Sequence, residues 1–494
     1  MQTIANLRIL AFMEAQMPLG GRISGSRLSV MLGSWRQGGS RHGAADLAAA
    51  IELQVLDGQL PLGTRLPAER ELADALGTSR TLIGAALDRL RENGVVASRR
   101  GAGSWIAAPG RRGREPLVPA GADLIDFAHA SPVALPGMVA AVDVARRRLV
   151  EHLGEHGYES RGLLSLREQI ARRYTERGLP TTPAQVMVTN GAHHAFVLVL
   201  RMLAGPGDRV LVEQPTYPNA LEAIRAAHAI PVPVAMDPAG RRGWDIAGIE
   251  AALRQASPRL AYLVVDFQNP TGRRLDAEGR SRLGAVLARA RTPVVVDETL
   301  VELDLEGDPL DGPPPLAAFA GDLAITVGSA SKSHWGGLRL GWIRASEDLL
   351  GRLVSARYAV DLGSPVFEQV VLTELLADDG PLAQRRAEFR GNRDVLAAAV
   401  GRYCPDWTFT APAGGLSLWC RLPEPMSTRL AVAAAGHGVQ VAPGSRFGAH
   451  GGMERWLRLP FALPPEKIEE AARRLSAAAA SVRGTPASLD ASIA

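Results

Sequence analysis

Four short apolar segments in the middle of the chain constrain its fold more than any other feature. They are DRVLVEQP (208–215), LAYLVVDFQNP (260–270), TPVVVDET (292–299) and LAITVGSASK (323–332). Their runs of Val, Ile and Leu lack polar alternation, which is typical of strands buried on both faces of a parallel sheet. Helical periods such as LDAEGRSRLGAVLARA lie between some of them, so an α/β domain is predicted from about residue 125 onward.

Polar or conformationally special residues follow each of these predicted strands. In open α/β sheets, ligands collect beyond the carboxyl ends of the strands. The residues in that position are Tyr217, Asn269 to Gly272, Asp297, and Ser329 to Lys332. We therefore expect a ligand site at this edge of the sheet.

Lysine is rare in this chain, which draws attention to Lys332. Of 55 basic residues, only Lys332 and Lys467 are lysines. A lysine amine can hold an aldehyde cofactor as a Schiff base, and a carboxylate such as Asp297 can keep a pyridine nitrogen protonated. The pair predicts a site for pyridoxal phosphate, with Lys332 as the catalytic lysine.

Other residues in the same region have chemistry that suits this cofactor. Ser329, Arg339 and the backbone amides near Ala192 and His193 are candidates for neutralising its phosphate, Tyr217 for stacking on its ring, and Asn269 for donating to its phenolic oxygen. Each has a structural explanation when taken singly, as a turn, a packed aromatic or a surface cation. Their order along the chain favours the cofactor site.

Positive charge is concentrated in the first quarter of the chain. Residues 1–120 contain 15 Arg, six Glu, four Asp and no Lys, a net charge of +5, whereas the whole chain carries +4. This skew indicates a polyanionic partner for the amino-terminal part, although basic solvated surfaces are also common.

The same region has the pattern of a winged helix-turn-helix. Helices are predicted over AADLAAAIELQVLD (44–57), LPAERELADAL (66–76, begun by Pro67) and SRTLIGAALDRLRENG (79–94), followed by two short strands around an Arg-Arg-Gly tip in VVASRRGAGSWIA (95–107). The segment resembles the GntR family of DNA-binding domains over residues 44–107. The resemblance implies contacts with double-stranded operator DNA through Arg65, Arg70, Ser79, Arg80, Thr81, Arg99 and Arg100. As an alternative, Arg70 and Arg80 are ordinary helix-surface charges.

Roughly 370 residues of the remainder resemble the fold type I aminotransferases. The matching segments are YESRGLLSLREQIA, VTNGAHHAF, EQPTYPN, VVDFQNPTG, VVVDET, SASKSHWGGLRLGW, PAGGLSLW and LRLPFA. The resemblance implies the cofactor roles given above. It further implies that Tyr158 reaches the phosphate in a neighbouring subunit, so that a dimer forms, and that Arg458 takes the carboxylate of an amino-acid ligand.

A chain that combines these two domains resembles the MocR/GabR family of transcription regulators. Subunits of that family typically form a head-to-tail dimer. We expect an extension (1–43), the winged helix-turn-helix (44–107), a linker (108–122), an α/β fold type I domain (123–482, with a smaller α+β subdomain at about 365–482) and a tail (483–494). Part of the extension is also open to interpretation as an artefact of the assigned start of translation. A cytoplasmic protein is expected, because no signal peptide or bilayer-spanning stretch is evident.

One departure from the family pattern concerns a hydrogen-bond donor to the phenolic oxygen of the cofactor. Relatives commonly carry a tyrosine two or three residues after the aspartate, where this chain has Thr299 and Leu300.

The expected function is a regulator whose large domain senses pyridoxal phosphate, with or without a small amino compound, and modulates operator binding. Two alternatives stay open: a working aminotransferase with an accessory DNA-binding domain, and a dimerising scaffold without cofactor.

Overall fold

A computed structural model describes residues 21–36, 42–57, 59–99, 103–107, 124–236 and 243–483. The predicted linker, the tail from 484 onward and Arg100 lie outside these residues. In the part of the chain that is described, no helix is both long enough and apolar enough to cross a membrane.

The described residues of the amino-terminal domain form four helices and a two-stranded wing. Its elements are α1 (Gly25–Leu32), α2 (Gly43–Leu56), α3 (Glu69–Leu76), α4 (Arg80–Glu92), β1 (Val96–Arg99) and β2 (Gly103–Ile106). The strands pair antiparallel, and apolar side chains of all four helices form one buried core. Ser79 caps α4, because its hydroxyl accepts a hydrogen bond from the backbone N–H of Leu82 at 3.2 Å. Helix α3 begins at Glu69 rather than at Pro67, since Ala68 still has an extended backbone with ψ of 148°.

Helix α1 belongs to the predicted extension and packs on the winged helix. The backbone N–H of Gly25 donates to Glu71 Oε1 at 2.9 Å, and Arg22 forms an ion pair with Glu71 at 2.7 Å. Gly25 has little room for a side chain, because a Cβ atom there would lie 3.0 Å from the carbonyl oxygen of Glu71. The described part of the extension is therefore an integral element of this domain.

The large domain is built on a seven-stranded sheet. Its strands are β4 (Val186–Thr189), β5 (Arg209–Gln214), β6 (Ile230–Ala235), β7 (Leu260–Leu263), β8 (Val294–Asp297), β9 (Ala324–Ser329) and β10 (Gly341–Arg344), in the order β4-β10-β9-β8-β7-β5-β6. Strands β5 to β9 pair parallel with one another, and β10 runs antiparallel to both of its neighbours. The central strands are apolar and fully buried, as the sequence predicted.

Helices cover the sheet and connect it to a smaller subdomain. They are α5 (Met138–Arg148), α6 (Leu164–Glu176), α7 (Ala192–Leu203), α8 (Pro218–Ala226), α9 (Ile246–Ala256), α10 (Ala277–Ala290), α11 (Ala317–Ala320), α12 (Glu347–Arg357), α13 (Val366–Leu375) and α14 (Gly380–Tyr403). Two apolar clusters lie on opposite faces of the sheet, so the strands need no polar face.

The small subdomain contains a four-stranded sheet. Its elements are β3 (Ile125–Phe127), β11 (Ser417–Arg421), α15 (Ser427–Gly436), β12 (Val439–Pro443), β13 (Trp456–Pro460) and α16 (Pro465–Arg483), with strand order β11-β13-β12-β3. Strand β3 pairs parallel with β12, although it lies far earlier in the chain and outside the predicted range of about 365–482. The fold class predicted from the sequence is confirmed: a winged helix-turn-helix, an α/β domain and a smaller α+β subdomain.

The winged helix domain packs directly on the small subdomain of the same chain. Helix α2 lies against α15, and Asp46 forms an ion pair with Arg429 at 3.1 Å. The backbone N–H of Ser34 donates to the carbonyl oxygen of His450 at 2.6 Å. The backbone N–H of Ala449, next to His450, donates to Gln214 Oε1 of β5 at 3.3 Å, so this part of the small subdomain contacts both the large sheet and the amino-terminal domain.

Candidate functional site

A cavity of about 420 Å³ lies between the large sheet and the small subdomain. Its walls include residues at the carboxyl ends of β7, β8 and β9 and residues of the small sheet such as Ala442 and Arg458. This is the edge where the sequence places the ligand site, because parallel strands deliver their terminal residues to one side.

Lys332 lies in the cavity at the turn that follows β9. Its ammonium Nζ donates to the carbonyl oxygen of Ala130 at 2.7 Å. Burial lowers the pKa of Lys332 to about 8, the positive charges of Arg458 and Arg339 add to this shift, and Asp297 opposes it. A much larger fraction of this amine is neutral near neutral pH than for an exposed lysine, which suits a nucleophile that must react with an aldehyde.

Asp297 is the last residue of β8 and accepts two hydrogen bonds. The hydroxyl of Tyr262 donates to Oδ2 at 2.6 Å, and the backbone N–H of Thr299 donates to Oδ1 at 2.9 Å. Burial raises the pKa of Tyr262 well above its usual value, with the charge of Asp297 adding to the effect, so this phenol remains a donor. The sequence analysis missed Tyr262, which comes from the neighbouring strand β7.

One end of the cavity is suited to an anion. Helix α7 begins at Ala192, directly after Gly191, and Arg339 Nη2 lies within 3.2 Å of the Asn190 carbonyl oxygen. Gly191 has a φ of +95°, and a Cβ atom there would lie 3.2 Å from the Arg339 guanidinium. Together with the hydroxyls of Ser329 and Ser331, which are 3.0 Å apart, the helix N-terminus and the guanidinium provide the donors a phosphate needs.

Three further residues that were predicted to bind the cofactor also line the cavity. They are Tyr217, Asn269 and His193. Burial is the main cause that lowers the pKa of His193, and the positive charge of Arg339 adds to it. Thr299 and Leu300 occupy the second and third positions after Asp297 and line the same cavity, so neither of these positions supplies a phenol.

Arg458, on β13, is a buried cation of this cavity. Its Nη1 donates to Asn269 Oδ1 at 3.2 Å, its Nη2 donates to the carbonyl oxygen of Ala128, and its Nε has no hydrogen-bond partner among the described residues. Burial is the largest cause that lowers the pKa of Arg458 to about 10. A buried guanidinium that pairs only with neutral oxygens is an incompletely satisfied charge, and a carboxylate would complete it.

Tyr158 is separate from the cavity in the single chain. Its side chain is 64% exposed and stacks on His156, with ring centroids 5.8 Å apart. The structure therefore does not bring it together with the other predicted cofactor residues of its own chain.

The residues predicted to contact DNA lie in the winged helix domain. Ser79, Arg80 and Thr81 are exposed at the N-terminus of α4, Arg70 is exposed on α3, and Arg99 is exposed in β1. Arg65 is only partly exposed, since its backbone bridges to Arg22 and to Trp105 beside the wing. Arg100 falls outside the described residues.

Comparison with known proteins identifies the families of both the amino-terminal domain and the large domain with its small subdomain. Residues 137–475 match the family model "Aminotransferase class I and II". The chain belongs to the class I and II aminotransferase family. Residues 44–106 match the gntR family of bacterial regulatory proteins, so this family member also carries a DNA-binding domain of that type. The combination is the MocR-type architecture that the sequence predicted.

Individual relatives of this aminotransferase family member are of two kinds. The 2-aminoadipate transaminase of Thermus thermophilus is 33% identical over 313 residues, which cover 62% of this chain and 78% of that protein. The HTH-type transcriptional regulator YdcR of Escherichia coli is 27% identical over 464 residues, covering 87% of this chain and 97% of YdcR. The alignment with YdcR is too long to lie within either domain alone.

Among solved structures, the chain is similar to LysN, the alpha-aminoadipate aminotransferase of Thermus thermophilus. LysN was solved in complex with N-(5'-phosphopyridoxyl)-L-leucine, and it matches with a TM-score of 0.66 and 30% identity over 73% of this chain and 93% of LysN. Pyridoxal phosphate is the cofactor of this family, and the site fits it. A buried amine, a carboxylate in the same cavity and an anion cradle at Gly191 are the groups that the aldehyde, the ring nitrogen and the phosphate require.

Proposed function

We propose that this protein is a ligand-responsive transcription regulator whose large domain binds pyridoxal phosphate and an amino compound and thereby changes the affinity of the winged helix domain for operator DNA. The observation that carries the proposal is the contact between α2 and α15. The winged helix domain rests on the subdomain that forms one wall of the cavity. A ligand that moves this wall also moves the DNA-binding helices, so the two binding equilibria are linked.

We propose the following roles for the cavity residues, which their contacts support. Lys332 would supply the amine for the cofactor aldehyde, and Asp297, which accepts hydrogen bonds from Tyr262 and Thr299, would keep the ring nitrogen protonated. Arg339 would offset the charge of the phosphate, and Ser329 would donate a hydrogen bond to it. Asn269 would donate a hydrogen bond to the phenolic oxygen, and Tyr217 would stack on the ring. When bound, the cofactor supplies an electrophilic carbon to which the amino group of an effector can bond.

Arg458 is proposed to bind the carboxylate of the effector. Its uncompensated guanidinium lines the same cavity as Lys332. An amino acid whose nitrogen faces Lys332 then has its carboxylate directed towards Arg458, which selects amino acids over simple amines.

A homodimer is the proposed assembly. Large apolar side chains that are more than half exposed are concentrated around the segment that contains Tyr158: Val133, Val139, Val150, Leu153 and Leu164. Exposed apolar side chains are typical of a protein interface where they form one surface. In the head-to-tail arrangement that we propose, Tyr158 of each subunit reaches the phosphate in the other.

The two lysines provide the decisive experiment. Apo protein is titrated with pyridoxal phosphate, then treated with borohydride, and the labelled residue is located by peptide mass analysis. We expect visible absorbance and reductive labelling in the parent and in Lys467→Ala, whose side chain is exposed on α16, and loss of both in Lys332→Ala. Equal labelling of Lys332→Ala, or no absorbance in the parent, would refute the cofactor site.

Operator binding separates regulator from enzyme. Operator DNA obtained by selection is titrated with the parent protein in the presence and absence of an amino acid that alters the visible spectrum. The regulator hypothesis requires a change in operator affinity, typically about 5- to 150-fold for coupled sites. Steady turnover of an amino donor and a 2-oxo acid, without such a change and undiminished by removal of residues 1–120, would favour the aminotransferase alternative instead.

A further inference from the structure

Arg446 belongs both to the cavity and to the contact between domains. It lies in the turn Gly444–Phe447 that follows β12, and its side chain lines the cavity. Its Nη2 also forms an ion pair with Asp57, the residue that directly follows α2 in the winged helix domain. Among the described residues of the winged helix domain, Asp57 is the only carboxylate that forms an ion pair with a residue lining the cavity.

The cavity therefore has two arginines on its small-subdomain wall. The charge of Arg446 contributes to the lowered pKa of Arg458, after burial and against the opposing effect of Tyr217, so the two guanidinium groups interact. The Nε atoms of both are buried and have no hydrogen-bond partner within the described part of the chain. Asp57 neutralises part of the Arg446 charge, whereas the hydrogen bonds of Arg458 to Asn269 and Ala128 involve neutral oxygens.

An amino compound with a single carboxylate satisfies only one of these guanidinium groups. Two like charges that share a cavity disfavour each other, and an anion that reaches both relieves the repulsion and supplies acceptors to both Nε donors. Since Arg458 is the proposed ligand of the first carboxylate, Arg446 is available for a second one once Asp57 is displaced.

We infer that the effector carries two acidic groups, and that the second of these binds Arg446 and displaces Asp57 from it. This inference rests on the proposed function, because it concerns the same cavity and the same effector. Release of Asp57 removes one of two ion pairs that join the described parts of the winged helix domain and the small subdomain, and the pair of Asp46 with Arg429 remains. Arg446 thus makes the position of the DNA-binding domain depend on the charge of the ligand.

The chain offers a matched control for this exchange. The side chains of Arg446 and Asp57 are 28% and 16% exposed, and those of Arg429 and Asp46 are 16% and 12% exposed. Both pairs join the same two domains, but Arg429 does not line the cavity. Asp57→Asn and Asp46→Asn therefore weaken the same interface, and only the first frees an arginine for the ligand.

The experiment is a spectral titration of cofactor-loaded protein with matched amino acids. The acidic probes are L-aspartate, L-glutamate and L-2-aminoadipate, and the neutral counterparts are L-asparagine, L-glutamine and L-norleucine. In the parent we expect at least one acidic probe to bind more tightly than its counterpart by about fivefold or more. Asp57→Asn should increase this preference, Asp46→Asn should leave it unchanged, and Arg446→Gln should abolish it.

Operator affinity provides a second readout that does not depend on chemistry at the cofactor. Without effector, Asp57→Asn should bind operator with the affinity that the parent shows when saturated with the acidic probe, and the probe should then change that affinity little. Asp46→Asn should still respond to the probe. These outcomes follow because the mutation removes the same contact that the ligand removes.

The failures of the two proposals are distinguishable. If no amino acid perturbs the visible spectrum of the loaded parent, amino-acid sensing itself fails. If neutral and acidic probes of every length perturb it with equal affinity, or Asp57→Asn and Asp46→Asn behave alike, the assignment of Arg446 is wrong while the proposed function stands. Should Arg446→Gln fail to fold, the comparison of the two aspartate variants still decides the matter.

Discussion

The hydroxyl of Tyr262 donates a hydrogen bond of 2.6 Å to Oδ2 of Asp297, so two adjacent strands of the large sheet jointly orient one carboxylate. The backbone N–H of Thr299 holds the other oxygen. Asp297 is therefore fixed in place before any ligand arrives, which lowers the cost of organising the site.

Loss of this hydrogen bond should weaken cofactor binding. Tyr262→Phe keeps the ring in place but releases Oδ2, and hydrogen bonds to charged groups contribute about 1.5 to 3 kcal/mol. We expect a rise in the dissociation constant of pyridoxal phosphate of about tenfold or more, measured from visible absorbance. Tyr174→Phe is the control, because Tyr174 is also buried and its hydroxyl accepts from Trp342 at 3.2 Å, away from the cavity. Equal effects of the two variants would contradict the role given to Tyr262.

The pH dependence of cofactor attachment should follow the pKa of Lys332. Only the neutral amine attacks an aldehyde, and burial together with Arg458 and Arg339 lowers this pKa to about 8. The rate of attachment to the apo protein, followed by absorbance, should therefore rise with pH and level off above about 8. Arg458→Gln removes a positive charge that disfavours protonation of Lys332. The variant should therefore have a higher Lys332 pKa, and its profile should shift to higher pH. A parent profile that keeps rising towards the ordinary lysine pKa of about 10.4 would show that the amine is not perturbed.

Arg80 should contribute to operator recognition. It is exposed at the first position of α4, where the hydroxyl of Ser79 caps the helix. If Arg80 makes a bidentate contact with a base, Arg80→Ala should weaken operator binding by about 1 to 3 kcal/mol without changing the visible absorbance of the cofactor. Arg89→Ala serves as control, since Arg89 is exposed in the last turn of the same helix. Equal operator affinities for the two variants, measured by titration at fixed salt, would remove Arg80 from the interface.

Glu213 should make stability fall as pH rises. Burial raises the pKa of this strand β5 carboxyl to about 8, although Trp244, Val264 and Gln268 donate hydrogen bonds to it. Between the ordinary glutamate pKa of 4.5 and about 8, the unfolded chain loses this proton while the folded chain retains it. The free energy of unfolding therefore decreases across this window, by up to about 1.4 kcal/mol per pH unit, and the loss is complete above it.

Glu213→Gln mimics the protonated carboxyl and should remove this dependence. The thermal midpoint of the variant should rise relative to that of the parent as the pH increases from about 5 to about 9. The measurement is a series of thermal melts at constant ionic strength. A constant difference between variant and parent would indicate that Glu213 is already ionised in the folded protein.

The sequence predicted the fold and the residues that follow each strand, because burial on both faces and strand-end polarity are local signals. It did not predict the role of Tyr262, although that residue lies within one of the four strand segments. Tyr262 acts through its neighbour, since β7 pairs with β8 with Tyr262 opposite Val295. Strand order depends on how the chain crosses over, and apolar periodicity does not contain that information.

Arg446 was missed for a related reason. Its surroundings, VAPGSRFGAH, form a turn after a strand, and a turn arginine is ordinarily a surface cation. Its significance arises only from tertiary structure, because β12 ends between the cavity and α2. Likewise the sequence did not predict α1, and its packing on α3 becomes visible only in three dimensions.

The close approach of Gly33 and His450 limits how the two parts of the chain can move. A Cβ atom on Gly33 would lie 2.7 Å from the His450 carbonyl oxygen, so the two backbones touch without clearance. A displacement that keeps this contact cannot be a translation across it and must be a rotation about it. Under the proposed function, such a rotation would change the direction of α4 relative to the small subdomain without separating the two backbones at Ser34 and His450.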